Sequence, residues 1–226
     1  MNSHENAKLR LPFSREAAAE LILTTLVVLA LWVAFALWSG AILLALAVLA
    51  TLVWLGLLLF MRDPHRTPPQ AEGIYLAPAD GRVMAIDDVH EAGFVGGPAL
   101  RIAIFLSIFD VHVNRSPVSG AVRKVHHVPG RFIQAFRDEA SQVNEYNDIG
   151  LDDGSRRILV KQIAGILARR IVCSVSEGDQ VRAGQRVGMI KFGSRTEVFL
   201  PPDSLVEVRL GDTVRGGLTI LARRRG

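Results

Sequence analysis

Residues 21–61 read LILTTLVVLALWVAFALWSGAILLALAVLATLVWLGLLLFM, a stretch of 41 residues without a charged side chain. Ser39-Gly40 divides it into two apolar segments, residues 21–38 and 41–61. At about 1.5 Å of rise per residue each segment reaches roughly 27 to 32 Å, the thickness of a bilayer core, whereas one continuous helix would be about 62 Å long. We therefore predict a membrane helical hairpin over residues 17–61, which excludes a wholly soluble protein.

Positively charged side chains flank this hairpin on both sides. They are Lys8, Arg10 and Arg15 in the N-terminal flank of residues 1–16, and Arg62, His65 and Arg66 after the hairpin. Because basic residues favour the cytoplasmic side, we expect a cell-membrane protein with both ends of the hairpin in the cytoplasm. A cleaved signal peptide does not fit, since the apolar stretch is too long and no small-residue cleavage site follows it. A hairpin that enters the bilayer without crossing it stays open.

The 165 residues that follow, 62–226, suffice for one domain with a hydrophobic core. Cys173 is the only cysteine, which excludes a disulfide-rich class and fits a reducing, cytoplasmic compartment. The formal net charge is +4, and the basic residues are scattered apart from three arginines at the C-terminus. No nucleic-acid partner is therefore predicted.

Short β-branched runs broken by glycines predict strands at residues 81–86, 100–106, 158–163 and 205–210. Phe132 to Tyr146 is the predicted helix. Two glycine-containing segments, 77–83 and 175–190, resemble the tight turns of biotinyl and lipoyl carrier domains. The predicted fold is the membrane hairpin followed by a mainly-β, β-rich α+β sandwich domain with hammerhead-like or barrel-sandwich-like halves.

The dipeptide Gly193-Ser194 lies between two predicted strands, residues 186–190 and 196–200. A serine hydroxyl in a strained turn can attack the carbonyl of the residue before it, and glycine there has no Cβ to block the approach. The ester that forms can break by β-elimination, and loss of ammonia then leaves a pyruvoyl group. Gly-Ser is a common turn sequence, so the dipeptide alone is a weak signal.

A second polar cluster surrounds Asp110 and His112, which stand two residues apart and would share one face of a strand. They form a candidate acid/base pair, although Asp110 could instead cap a turn and His112 could be structural. Asn114 and Arg115 extend this cluster toward a candidate anion pocket. Asp80 precedes glycine, which is typical of a turn. No motif for metal, dithiol or nucleotide binding occurs, so no metal is predicted.

These segments occur in an order that resembles phosphatidylserine decarboxylase in its short bacterial and archaeal form. The resemblance covers residues 60–201 and is much more specific than any single motif. It is carried by the segments 62–66 (RDPHR), 78–83 (PADGRV), 105–115 (FLSIFDVHVNR), 130–147, 162–171 and 188–195 (GMIKFGSR).

The resemblance implies self-cleavage between Gly193 and Ser194 of a catalytic decarboxylase domain spanning residues 62–226. The β chain (residues 1–193) and the α chain (194–226) would stay associated, and Ser194 would become the pyruvoyl group. Phosphatidylserine, a bilayer lipid, would lose carbon dioxide through a Schiff base and yield phosphatidylethanolamine, without metal or pyridoxal phosphate. Asp80, His112 and Ser194 match the family's catalytic positions.

Two departures from longer family members concern arginines. Arg115 stands where those members carry a second histidine, so the division of roles between self-cleavage and decarboxylation stays open. Arg195 follows the serine in place of a threonine, as suits the short form. Either arginine could hold the phosphate or the carboxylate of the substrate.

Three other functions stay open at this point. An ether lipid of the archaetidylserine type could replace phosphatidylserine. A biotinyl or lipoyl carrier module would carry its group on Lys191, whose neighbours match that motif poorly. A membrane-tethered serine hydrolase would use Ser194 and leave the chain intact. Whether the chain forms a homo-oligomer also stays open.

Overall fold

The computed structural model describes residue 13 and residues 18–166, 171–190 and 194–225. The chain divides into two compact units, residues 1–65 and 66–226. The first contains two long helices and the second is rich in strands. This confirms the predicted order of an apolar helical pair followed by a β-rich domain.

The two helices of the first unit are α1 (Ala18–Trp38) and α2 (Ala41–Phe60), separated by Ser39-Gly40 as predicted. Both are long and apolar enough to cross a membrane. The indole Nε1 of Trp32 donates to Thr51 Oγ1 over 3.0 Å, and that of Trp54 donates to Thr25 Oγ1 over 2.9 Å. These bonds between antiparallel helices satisfy polar groups that hydrocarbon could not hydrogen-bond.

The described residues of the second unit form fourteen strands and one short helix. They are β1 (Ile74–Leu76), β2 (Gly81–Glu91), β3 (Gly97–Leu106), β4 (Val113–Arg115), β5 (Gly120–Val128), α3 (Ala140–Val143), β6 (Tyr146–Asp152), β7 (Arg157–Ile163), β8 (Ile171–Cys173), β9 (Gln180–Val181), β10 (Arg186–Ile190), β11 (Ser194–Leu200), β12 (Leu205–Val206), β13 (Thr213–Val214) and β14 (Ile220–Arg223).

These strands build three antiparallel sheets. The largest has the order β13-β2-β3-β11-β7-β6-β5-β9, and the two smaller ones are β4-β10-β8 and β1-β14-β12. Buried aliphatic residues from all three sheets form one hydrophobic core, to which the large sheet contributes Ile102, Ile104, Val160 and Val198. The sheets therefore pack around a shared interior, as a sandwich fold requires.

The other face of the large sheet carries a row of alternating charges across six strands. The row runs Asp87, Arg101, Glu197, Lys161, Asp148, Lys124, and its neighbours are either opposite each other in the strand register or joined diagonally by an ion pair. Arg101 Nε donates to Asp87 Oδ1 over 2.8 Å, and this bond raises the pKa of Arg101. Burial raises the pKa of Asp148, and the charges of Lys161 and Lys124 oppose that rise. Opposite charges on neighbouring strands stabilise the sheet.

The helix predicted over Phe132–Tyr146 is wrong. Only α3 is helical, and the residues before it form turns. The amide of Asn144 donates to Ile133 O over 2.9 Å and accepts from Ile133 N over 3.0 Å. It also donates to Ala164 O over 2.7 Å, which ties this segment to the end of β7. An amide side chain that bonds the backbone in this way competes with helix formation. The predicted strand at 205–210 is also shorter, since β12 covers only Leu205–Val206.

Gly81, the first residue of β2, provides a test of this fold. Its φ is +144°, and an added Cβ would lie 2.1 Å from the carbonyl oxygen of Phe105. We expect Gly81→Ala to cost about 3 kcal/mol, because strain and a backbone clash add together. The unfolding temperature of the detergent-solubilised chain should then fall by about 6 to 12 °C.

Gly154 supplies the matched control, because its φ is +92° and an added Cβ meets nothing within 4 Å. Gly154→Ala carries the strain without the clash and should cost about 1 kcal/mol, or about 2 to 4 °C. Equal losses for the two variants would contradict the register of β2 beside β3.

Candidate active site

Ser194 opens β11 in the middle of the large sheet. It pairs with Leu106 of β3 on one side, and on the other side the next residue, Arg195, pairs with Ile163 at the end of β7. Ser194 is fully buried, and its Oγ makes no hydrogen bond to the residues that the structure describes. A buried hydroxyl without a partner costs about 1 to 3 kcal/mol. The fold therefore retains this serine for a reason other than stability.

Three strand ends meet at the sheet edge where Ser194 lies. β2 begins at Gly81, β3 ends at Leu106 and β11 begins at Ser194. The register of β2 with β3 puts Gly81 beside Leu106, which in turn pairs with Ser194. Two strand spacings therefore separate Gly81 from Ser194, about 10 Å between Cα atoms. Asp80, the residue before Gly81, is thus brought to the same edge as Ser194.

The carboxylate of Asp80 is held by two partners. The guanidinium of Arg66 donates hydrogen bonds to both oxygens, with 2.7 Å between Nη2 and Oδ2. The backbone N–H of Gly216 donates to Oδ1 over 2.8 Å. Arg66 also donates to Gly216 O over 2.6 Å, and both side chains are largely buried. A two-pronged arginine–carboxylate pair fixes position as well as charge. Asp80 is therefore a rigidly oriented acceptor and not merely a turn residue.

Sequence reasoning gave Arg66 no role beyond the flanking charge and the motif at 62–66. Its partner Asp80 lies fourteen residues away, and Gly216 lies 150 residues away. A basic residue among the prolines of residues 62–69 was the only local signal. That signal does not indicate which carboxylate the arginine meets.

His112 is fully buried in the loop between β3 and β4. Its Nδ1 lies 2.9 Å from the carbonyl oxygen of Asp110. Because a carbonyl only accepts, Nδ1 carries a proton there, and Nε2 is the nitrogen that can take up a proton in the neutral ring. The Asp110 carboxylate accepts from the N–H of Ser107 over 2.8 Å. The expected carboxylate–imidazole pair on one strand face is therefore wrong, and Asp110 caps a turn.

The small sheet β4-β10-β8 brings His112 toward the residues that precede Ser194. The carbonyl oxygen of His112 accepts from the N–H of Ile190, the last residue of β10, over 3.2 Å. Ile190 lies four residues before Ser194 along the chain. Gly193 and Lys191 lie outside the described residues. This bond brings His112 next to Ile190, the last described residue before Ser194.

Arg115 lies on β4 and contacts the chain just before Asp80. Its N–H donates to Pro78 O over 2.8 Å, and its Nη1 donates to Gly184 O over 3.1 Å. A Cβ added to Gly217 would lie 2.9 Å from Arg115 Cδ, so the loop that holds Asp80 packs against this side chain. Arg115 is therefore a buried positive charge within the candidate site, and its role toward substrate stays a prediction.

Arg195 occupies a different position. Alternation along β11 puts its side chain on the opposite face of the sheet from Ser194. There its Nη2 pairs with Glu197 Oε1 at 2.5 Å, and Nη1 donates to Arg137 O over 3.4 Å. The structure thus does not bring Arg195 together with Ser194. Substrate binding by Arg195 stays a prediction, and its position favours a structural role within the charged row.

A network of buried amide side chains near Ser194 joins the large sheet to the sheet β4-β10-β8. It was not predicted from the sequence. Asn147 donates to Gln162 over 2.9 Å, Gln162 to Asn114 over 2.8 Å, and Asn114 to Thr196 Oγ1 over 3.0 Å. Thr196 shares the inner face of β11 with Ser194. Asn114 therefore links β4 to β11 and does not extend an anion pocket. The three amides and the threonine come from four strands, so no local sequence pattern marks them.

The site combines a buried serine hydroxyl, a fixed carboxylate and a buried imidazole at one sheet edge. Among the described residues no group of three or more His, Cys, Asp or Glu side chains could hold a metal ion. The hydroxyl of Ser194, without a partner among the residues that the structure describes, fits a residue that becomes a prosthetic group, because a purely structural serine in this core would be expected to have a partner. Serine, carboxylate and imidazole together can support nucleophilic attack and proton transfer.

Comparison with known proteins identifies the family. The family model described as phosphatidylserine decarboxylase matches residues 56–222. Relatives named phosphatidylserine decarboxylase proenzyme include one from Symbiobacterium thermophilum, 52% identical over 170 residues that cover 75% of this chain and 79% of the relative. Another, from Carboxydothermus hydrogenoformans, is 47% identical over 183 residues, with coverage of 76% and 86%.

A third relative of the same name, from Granulibacter bethesdensis, is 47% identical over 180 residues, covering 75% of this chain and 73% of the relative. The residues matched by the family model include strands β1 to β13 and most of β14. This chain belongs to the phosphatidylserine decarboxylase family.

Proposed function

We propose that this chain is a proenzyme that cleaves itself between Gly193 and Ser194 and then converts phosphatidylserine to phosphatidylethanolamine and carbon dioxide. The observation that carries the proposal is the buried hydroxyl of Ser194 at the start of a central strand, which has no hydrogen-bond partner among the described residues. The relatives' name, which includes the word proenzyme, supports processing of the chain.

In the proposed cleavage the Ser194 hydroxyl attacks the carbonyl carbon of Gly193 and the peptide bond becomes an ester. Loss of the Ser194 Cα proton then expels the Gly193 carboxylate, which ends the β chain (residues 1–193). The α chain (194–226) keeps a dehydroalanine that takes up water and releases ammonia. The cut chains would stay associated, since β11 remains paired with β3 and β7 on both sides.

The side chains around Ser194 have distinct proposed roles. His112 Nε2 moves a proton to or from the reacting atoms, since Nδ1 is committed to the Asp110 carbonyl. Asp80, held by Arg66, is the oriented acceptor that assists self-cleavage. Arg115 provides a buried positive charge for the phosphate or carboxylate of the substrate. The pyruvoyl group formed from Ser194 would supply the electron sink for loss of carbon dioxide, without metal or pyridoxal phosphate.

The membrane helices support a substrate that resides in the bilayer. Basic residues on both flanks of the hairpin favour a cytoplasmic location for both chain ends and hence for the catalytic domain. An enzyme for soluble amino acids would gain nothing from this anchor. An archaetidylserine-type ether lipid has the same headgroup and is the alternative substrate.

Ser194→Ala tests the cleavage. We expect this variant to remain one 24.7 kDa chain without decarboxylase activity, because no hydroxyl is available to attack. Denaturing electrophoresis with intact-mass measurement checks it. Ser204→Ala is the matched control, since its Oγ is also buried without a partner among the described residues but lies outside the site. Processing of Ser194→Ala, or a block in Ser204→Ala, would contradict the assignment. An unaltered chain that stays uncleaved would instead favour a carrier or a hydrolase.

His112→Ala tests the proton-transfer role. We expect the decarboxylation rate per cleaved molecule to fall by about 10² to 10⁴, the usual contribution of a general acid or base. The rate is measured by carbon dioxide release and normalised to the fraction of processed chain. His127→Ala removes a half-exposed imidazole on β5 and should leave the rate within about twofold. A wild-type rate in processed His112→Ala would remove His112 from the mechanism.

A further inference from the structure

Exposed apolar side chains are concentrated at the sheet edge that carries Ser194. The described residues of the strand-rich unit include eight exposed large hydrophobic side chains. Five of them lie in loops at this edge: Ile108, Phe109, Phe132, Phe136 and Ile166. We call these five residues the apolar rim. Phe109 is 79% exposed and Phe136 is 59% exposed, so both present most of their ring to the surroundings.

The strand register places the rim loops at the strand ends where Ser194 begins β11. Leu106 pairs with Ser194, and Ile108 and Phe109 follow Leu106 by two and three residues in the chain. On the other side of β11, strand β7 ends at Ile163, which pairs with Arg195, and Ile166 follows Ile163 by three residues. Phe132 and Phe136 belong to the loop between β5 and β6, which ends at this same edge, and Phe136 packs on Phe105, on the sheet face opposite to Ser194. Loops from three separate strand connections thus place apolar side chains at the strand ends beside this serine.

The rim loops are held in place by specific contacts. The ring of Phe136 packs edge-on against Phe105, with 6.3 Å between centroids. Asn144 bonds both backbone groups of Ile133 as well as the carbonyl of Ala164, so two rim loops share one amide. The Asp110 carboxylate caps the turn that carries Phe109. These rings are therefore exposed by a defined loop structure.

Charge in the rim loop between β5 and β6 is balanced. Around Phe132 and Phe136 this loop exposes Arg131 and Arg137 together with Asp138 and Glu139. It therefore has little net attraction for anionic lipid headgroups. Contact of this loop with lipid would depend on apolar insertion and change little with salt.

We propose that the apolar rim docks on the lipid bilayer, with its side chains inserted among the headgroups, so that a lipid substrate reaches Ser194 without crossing water. The inference rests on the proposed function and adds the surface through which the site takes its substrate. Soluble proteins rarely expose contiguous apolar surface without a partner. A bilayer is the partner that the two apolar helices of this chain keep within reach.

A depth measurement on the full-length chain tests the docking directly. Phe109→Cys in a Cys173→Ser background carries a fluorescent label, and the chain is reconstituted in phosphatidylcholine vesicles with lipids brominated near the headgroup. Leu205→Cys is the matched control, because Leu205 is also an exposed apolar residue but follows the opposite end of β11. We expect brominated lipid to quench the label at residue 109 and to spare the label at residue 205.

Absence of quenching at residue 109, or equal quenching at both residues, overturns the proposal. Shielding of residue 109 that rises with protein concentration and not with lipid also overturns it, in favour of a second copy of the chain. The measurement needs no turnover. It therefore stands even if the proposed decarboxylation fails.

A kinetic comparison tests whether docking serves catalysis. The double variant Ile108→Ser/Phe109→Ser should lose about tenfold or more in kcat/KM on phosphatidylserine in vesicles, because two apolar side chains no longer insert. On short-chain phosphatidylserine dispersed as monomers it should stay within about twofold of the unaltered enzyme. Leu205→Ser/Val206→Ser should match the unaltered enzyme on both substrates.

Equal losses of the rim variant on both substrates would overturn the proposal, since the loop would then act on the chemistry and not on lipid access. Inactivity of the unaltered enzyme on both substrates would instead contradict the proposed function.

Discussion

Backbone hydrogen bonds hold β11 between β3 and β7, and the candidate site depends on this double pairing. Because side chains alternate along the strand, Ser194 and Thr196 face the shared core. Arg195 and Glu197 lie on the opposite face, which carries the charged row. The same pairing sets the rows in which Gly81, Leu106 and Ser194 lie side by side. It also explains how two chains would remain one domain after a cut at the start of β11, since a central strand has partners on both sides.

Each candidate catalytic group is held in position, either by a hydrogen-bond partner or by the strand to which it belongs. Arg66 and Gly216 hold Asp80, and the Asp110 carbonyl orients the ring of His112. Ser194 is fixed by its strand, while its hydroxyl has no partner among the described residues. A reacting group that is placed by its backbone and left without a competing hydrogen bond is pre-organised for attack on a neighbouring carbonyl.

Local sequence patterns predicted the helices and strands whose formation depends on residues that are neighbours in the chain. The hairpin turn at Ser39-Gly40 and the strand at residues 186–190 are confirmed, since charge-free length and β-branched runs are visible along the chain. The helix over Phe132–Tyr146 failed because Asn144 bonds the backbone of Ile133 and Ala164, a contact across the fold. The Arg66–Asp80 pair and the amide network likewise join distant residues. Only the order of several motifs together pointed to the site.

The central claim is that Ser194 becomes the amino terminus of a second chain and loses its amine. Intact-mass measurement of the purified, active, unaltered protein tests this most directly. We expect two chains, residues 1–193 and 194–226, with the smaller one lighter by one ammonia than its sequence requires and blocked to amino-terminal degradation. A single full-length chain in an active preparation, or a smaller chain with an intact amino-terminal serine, would contradict it.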